Sequence, residues 1–93
     1  MSVTRINEFQ AKTGKTEGLR ESLNSIIPMI QSSEGCESCR LLQSQNDPRK
    51  FVIIEIWASV EAHKASAKNI PFEKVDQVLQ LLAGPPAGAY YSA

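Results

Sequence analysis

The sharpest pattern of apolar and polar positions in the chain is Phe51-Val-Ile-Ile-Glu-Ile-Trp57, in which Glu55 is the single polar residue. Alternation puts Phe51, Ile53, Glu55 and Trp57 on one face of a strand and Val52, Ile54 and Ile56 on the other. A half-exposed strand alternates apolar with polar, so a run like this needs a cover on each face. Helices of the same chain can supply one cover. A second subunit is the expected source of the other.

Weaker patterns surround this strand. Val3 to Ala11 reads as a first strand in which Val3, Phe9 and Ala11 share a face with Arg5 and Asn7. Gly14-Lys15 turns the chain, and Thr16 is positioned to cap a helix whose apolar stripe is Leu19, Leu23, Ile26, Ile27 and Ile30. Pro28 lies inside that helix and removes one of its hydrogen bonds, a loss of about 3 kcal/mol in an unkinked helix, so a bend is expected there. Gly35 ends the element. Ser38 to Gln45 reads as a second strand, and Asn46-Asp47-Pro48 as the turn into the third. Ser59 is a suitable N-cap for a short helix from Val60. Pro71 opens another helix, with the stripe Phe72, Val75, Val78, Leu79 and Leu82. Gly84-Pro85-Pro86 stops it, and Ala89-Tyr90-Tyr91 makes a short last strand. The order is βαββαβ, an α+β, ferredoxin-like arrangement with its second helix broken in two. A four-stranded antiparallel sheet so built carries helices on one face only, which predicts a face-to-face homodimer.

Composition narrows the function classes. Ninety-three residues make one domain, spanning 1–93. A chain of this size buries roughly 60–65% of its unfolded surface and gains from dimerisation. Ten basic and ten acidic residues balance, with no basic stripe for nucleic acid or for an anionic membrane. No apolar stretch nears the roughly 20 residues that span a bilayer, and the N-terminus lacks the apolar core of a signal peptide. The expectation is a cytoplasmic domain.

Few residues carry candidate chemistry. Gly14-Lys15-Thr16 lacks the glycine that a phosphate-binding loop requires five positions earlier, where Phe9 stands, and reads as a turn. Cys36-Glu-Ser-Cys39 has redox spacing but leads into a strand, where residues three apart face opposite ways, and two Cys with one His fall short of a zinc site. Two ordinary thiols are expected. His63, the single histidine, falls on the sheet-facing side of its helix, either as a proton acceptor or donor lining a pocket or as a packed residue with both nitrogens satisfied. Trp57 offers a large apolar body with one N–H donor. Glu55, a lone acid in an apolar strand, must find a partner or water. Asn7 can present an amide donor to a dry cleft or bond to the backbone.

These residues together resemble the antibiotic biosynthesis monooxygenase superfamily, small proteins of ferredoxin-like fold that pair as dimeric α/β barrels. The resemblance runs from about Ile6 to Leu82. It rests on the strand into Gly14-Lys15, the Leu-rich helix ending in Glu34-Gly35-Cys36, the Asn-Asp-Pro turn, Phe51 to Trp57 and the Ser59-x-Glu61-Ala62-His63 helix start. It implies the chemistry found among such proteins: oxygenation of anthrones and quinols without metal or flavin, haem degradation, or isomerisation of a signalling sugar. Many relatives carry a histidine nine residues after the strand tryptophan, where this chain has Ser66. Haem-degrading relatives share an asparagine in the position of Asn7, but they use a tryptophan at Ser66 and a histidine ligand near Asp76, both absent here.

The reading that follows is a cofactor-independent monooxygenase acting with O₂ on a small aromatic or quinol-type substrate in a cleft between sheet and helices. Asn7, Trp57 and His63 are the expected catalytic residues, the first two as donors to an oxyanion and the third as base. Glu55, Ser66 and Phe72 complete the site as substrate-binding positions, and no cofactor or metal is expected. The partners are then the substrate, O₂ and a second copy joined through the open sheet face. The rivals are a non-catalytic dimeric module holding a small ligand, and a scaffold or stress protein whose interface is its product.

Overall fold

The computed structural model describes residues 2–93. Its elements are β1 (Val3–Gln10), α1 (Thr16–Gln31), β2 (Cys36–Gln43), β3 (Lys50–Trp57), α2 (Val60–Ser66), a single 3₁₀ turn (Ala67–Asn69), α3 (Phe72–Gln80) and β4 (Ala87–Tyr91). The strands form one antiparallel sheet in the order β2-β3-β1-β4. This is the ferredoxin-like βαββαβ arrangement, with the second helix in two pieces as its sequence predicts. No described helix is long and apolar enough to cross a membrane.

The alternation in β3 is realised in full. Phe51, Ile53, Glu55 and Trp57 are buried beneath the helices, while Val52, Ile54 and Ile56 on the opposite face are half-buried. Leu19, Leu23, Ile26 and Ile30 of α1 complete the core against Phe51, Ile53 and Trp57. Burying an aliphatic side chain of this size contributes about 1.5–3 kcal/mol, so this seam is the main source of stability. The opposite face has no cover within the chain. Pairing puts Ile6 beside Ile54 and Arg40 beside Ile54 from the other side, with Glu8 beside Val52.

Several local details differ from expectation. Lys15, not Thr16, occupies the N-cap of α1 and makes no side-chain cap bond; Thr16 is the first helical residue. The helix passes through Pro28 without interruption. β2 begins at Cys36, and a register shift between Cys36 and Ser38 sets Cys36 opposite Trp57 and Cys39 opposite Glu55. The irregularity brings both thiols to the helix-facing side, although regular alternation would part them. In α3 only Val78 of the expected stripe is buried, followed by Leu82 beyond the helix end. Because α3 packs principally on α1 and not on the sheet, Phe72, Val75 and Leu79 are left exposed.

Two glycines have positive φ, Gly14 at +80° and Gly35 at +86°. They differ in what surrounds them. A Cβ at Gly14 meets nothing within 4 Å, whereas one at Gly35 lies 2.6 Å from the Ala62 Cβ of α2. Gly35 thus lets α2 close onto the α1–β2 corner, which fixes the helix that carries His63. Gly14→Ala is expected to lower the unfolding free energy by about 1–2 kcal/mol from backbone strain alone. Gly35→Ala should cost roughly 1–3 kcal/mol more through overpacking. Urea unfolding of the two variants measures the difference; equal losses would mean that α2 is not held at Gly35.

Candidate functional site

Strand register assembles a row of polar side chains on the helix-facing side of the sheet. Cys39 pairs with Glu55, Glu55 with Arg5, and Arg5 with Tyr90, so the four lie side by side across β2, β3, β1 and β4. Asn7 and Gly88 pair in the neighbouring row. Ser59 starts α2 above this row, its hydroxyl accepting the Ala62 N–H at 3.1 Å. The cap fixes the first turn, and His63 on the next turn comes down onto the row.

The polar groups answer one another. Glu55 is 3% exposed, and its Oε1 accepts the indole N–H of Trp57 at 2.7 Å. His63 Nδ1 lies 2.6 Å from the Tyr90 hydroxyl, and its Nε2 lies 3.9 Å from Glu55 Oε1. The second distance permits charge attraction but is too long for a hydrogen bond. The imidazole meets Trp57 and Tyr90 edge-on, with centroids 5.4 and 5.3 Å apart, a geometry that aromatic quadrupoles favour. Arg5 stacks on the Tyr90 ring at 4.7 Å, and its Nη2 donates to Asn7 Oδ1 at 3.4 Å.

Burial sets the proton affinities. It pushes the Glu55 carboxyl above the ordinary range, against the lowering effects of the Trp57 N–H and the Arg5 charge. Burial also lowers His63, helped by the positive charges of Arg5 and Lys64, so the imidazole is neutral at pH 7. Cys39 is pushed up to about 12 by burial and by the Glu55 and Cys36 charges, and Cys36 is raised chiefly by burial. Both remain thiols, the inert reading of the CxxC motif. Among the described residues no three His, Cys, Asp or Glu side chains stand together as metal ligands would.

Asn7, Glu55, Trp57 and His63 therefore belong to one cluster, but two of the expected site residues do not. Ser66 donates to the His63 carbonyl at 2.6 Å and lines a separate cleft of about 490 Å³ with Glu34, Gly35, Ala62 and Asn69. Phe72 is 78% exposed, since the first residue of α3 follows Pro71 out over solvent instead of turning toward the sheet. Trp57 is also placed differently from expectation, fully buried with its N–H committed to Glu55. Arg5 and Tyr90 join the cluster unforeseen. Arg5 was visible as a charge on the inward face of β1, whereas Tyr90 is revealed only by the register of the edge strand. A larger cleft of about 550 Å³ opens elsewhere, between Glu8, Leu42, Lys50, Val52 and Pro85.

The raised Glu55 has a signed consequence for stability. Below the unfolded-state value near 4.5 the residue is protonated in both states; above it the unfolded chain ionises first, and the folded state loses ground until its own, higher value is passed. Glu55→Gln keeps an acceptor for Trp57 and removes the charge. The variant should therefore gain stability relative to the parent as pH rises from 4 to 8. A stability difference independent of pH, measured by urea unfolding, contradicts the burial argument.

Comparison with known proteins places the chain as a whole. The family model for antibiotic biosynthesis monooxygenases matches residues 2–78. Among solved structures, Rv0793 from Mycobacterium tuberculosis is 24% identical with a TM-score of 0.86, covering 100% of this chain and 95% of that one. A mutant of SnoaB, a cofactor-independent oxygenase from Streptomyces nogalater, is 16% identical with a TM-score of 0.84, covering 99% of this chain and 92% of that one. A conserved protein from Methanosarcina mazei is 17% identical with a TM-score of 0.89, covering 98% and 91%. At these identities the likeness is one of fold. No curated protein matches the chain. With the family match spanning most of its length and the fold agreeing throughout, the chain belongs to the antibiotic biosynthesis monooxygenase family.

Proposed function

We propose that the protein is a cofactor-independent monooxygenase that oxidises a small phenolic or quinol-type aromatic with O₂. The observation that carries this reading is the Tyr90–His63 pair at 2.6 Å, backed by Glu55. A neutral imidazole with a hydroxyl on one nitrogen and a carboxyl near the other is a relay for one proton. A substrate hydroxyl gives its proton to the Tyr90 oxygen as the Tyr90 proton moves to His63 Nδ1. The imidazolium formed is then offset by Glu55. The resulting phenolate is electron-rich enough to reduce O₂ directly. At a ring CH₂ of an anthrone, four electrons pass to O₂; one oxygen atom becomes the new carbonyl and the other leaves as water. The ring CH₂ supplies all the electrons, so no external reductant is needed.

In this reading Asn7 donates to the oxyanion, since its Oδ1 accepts from Arg5 and its amide N–H₂ points elsewhere. Trp57 orients Glu55 instead of touching substrate. Asn7, Arg5, His63 and Tyr90 are only half-buried and so within reach of a ligand. The rival reading, a non-catalytic ligand-binding module, draws on the closed packing of Trp57 and Glu55, which leaves these two no direct contact with a bound molecule.

The open sheet face is proposed to join a second copy. Its apolar ladder of Ile6, Val52, Ile54 and Ile56 is flanked by the basic Arg40 and Lys50 and the acidic Glu8, so a two-fold pairing can set Glu8 against a basic side chain.

Oxygen uptake with a panel of hydroquinones and anthrones tests the activity. Turnover is expected, with kcat lowered about 10²–10⁴-fold in His63→Gln and reduced in Asn7→Ala. No uptake with any member, or an unaffected His63→Gln, overturns the oxygenase reading in favour of the binding module. For assembly, sedimentation should give a dimer that Ile54→Lys converts to monomer while circular dichroism is retained. A parent protein that sediments as a monomer refutes the pairing.

A further inference from the structure

Arg5 carries a positive charge that Glu55 offsets only at a distance, without bonding it. It sits between Glu55 and Tyr90 in register, yet among the described residues it forms no ion pair. Glu55 instead takes the Trp57 N–H, and Arg5 turns toward the edge strand. Of the five guanidinium donors, Nη2 makes the single long bond to Asn7, and the Nε–H is buried without any partner. A half-buried cation with an unsatisfied N–H is an unfavourable arrangement unless something completes it. The neighbours do so only in part: Lys64 has the same sign, His63 is held neutral, and Glu55, which feels the Arg5 charge, gives its Oε1 to Trp57.

The edge strand carries no side chain where this charge lies, and the guanidinium and the Asn7 amide occupy the space. Gly88 stands opposite Asn7 on β4, and a Cβ there would collide with both Arg5 Nη2 and Asn7 Oδ1. Any larger residue would displace the guanidinium and the amide together. Around them the walls are aromatic, with Tyr90 beneath the guanidinium and His63 edge-on to Tyr90. Such a place suits a flat ring bearing a negative group, with the ring against the aromatic edges and the anion on Arg5.

We propose that Arg5 is the specificity-determining residue of the site and that its ligand is an anionic aromatic, bearing either a ring carboxylate or an ionised ring hydroxyl. The proposal deepens the oxygenase reading, on which it relies for the location of the site, and it is tested by binding without turnover. An anion there sets a bonded counter-charge on the terminal guanidinium nitrogens, of which Nη1 makes no hydrogen bond among the described residues. Arg→Lys is not conservative in this setting, because the point charge of an ammonium cannot reproduce the planar fork or the stacking on Tyr90.

The test uses anaerobic calorimetry on the full chain with three probes: 2,5-dihydroxybenzoate, its methyl ester and hydroquinone. If the carboxylate is the recognised group, the acid binds about tenfold or more tightly than the ester. That preference shrinks with added salt, weakens in Arg5→Lys and vanishes in Arg5→Met. If the ionised hydroxyl is recognised, hydroquinone binding strengthens from pH 7 to 10 in the parent but not in Arg5→Met. Circular dichroism checks that the variants fold, and the salt dependence of the parent stands without them. Equal, pH-independent binding of all three probes, no binding of any, or a preference that survives Arg5→Met overturns the proposal. Charge-selective binding without oxygen uptake would retain Arg5 and remove the oxygenase. Uptake of neutral and anionic substrates with equal KM would do the reverse.

Discussion

A carboxyl in the middle of an apolar strand is the constraint on which the site depends. Glu55 replaces what would otherwise be one more aliphatic side chain facing the helices, and burial without a partner would cost several kcal/mol for a charged group. The Trp57 N–H answers one oxygen, two residues along the same strand. His63 lies 3.9 Å from the same carboxyl, while burial keeps the imidazole neutral. Replacing Glu55 by isoleucine would give a simpler core and remove the acceptor of the Trp57 N–H. A residue that makes the core less stable but gives an electrostatic path through it is a common mark of a functional position.

The rest of the fold holds that cluster in place. α1 seals the sheet over Phe51, Ile53 and Trp57, so the indole and the carboxyl it holds are packed inside the core. Gly35 admits α2 close to the α1–β2 corner, and the Ser59 cap sets the turn from which His63 descends. The edge strand β4 is short and mostly exposed, yet it delivers both Tyr90 and the bare Gly88 position that Arg5 and Asn7 pack against. The helix-facing side of the sheet thus gathers the polar cluster, and the open side is largely apolar, with Arg40, Lys50 and Glu8 as its charges.

Much of this was legible before any coordinates. The seven residues from Phe51 to Trp57 announce a strand that needs a cover on each face, and Leu19 to Ile30 announce the helix that covers one of them. Asn7, Glu55, Trp57 and His63 come together because strand alternation and helical spacing are rigid rules. What escaped depends on non-local pairing. Tyr90 lies opposite Arg5 only through the β1–β4 register, which a five-residue edge strand does not specify by its own pattern. The bulge at Cys36–Ser38 reverses the side on which the first thiol lies, and nothing in Cys-Glu-Ser-Cys signals an inserted residue. Phe72 misled because an apolar stripe states that a helix has a buried face without stating how wide it is; α3 rests narrowly on α1.

The cluster can be observed directly, because the chain has one histidine and one tryptophan. A single series of ¹H–¹⁵N spectra across pH reports His63 through its imidazole nitrogens and Glu55 through the Trp57 indole N–H that it accepts. The geometry requires His63 to titrate below the ordinary value of 6.5 and the indole N–H to shift with a group that titrates above 4.5. An imidazole titrating at or above 6.5, together with an indole signal indifferent to pH, would contradict the buried relay at its centre.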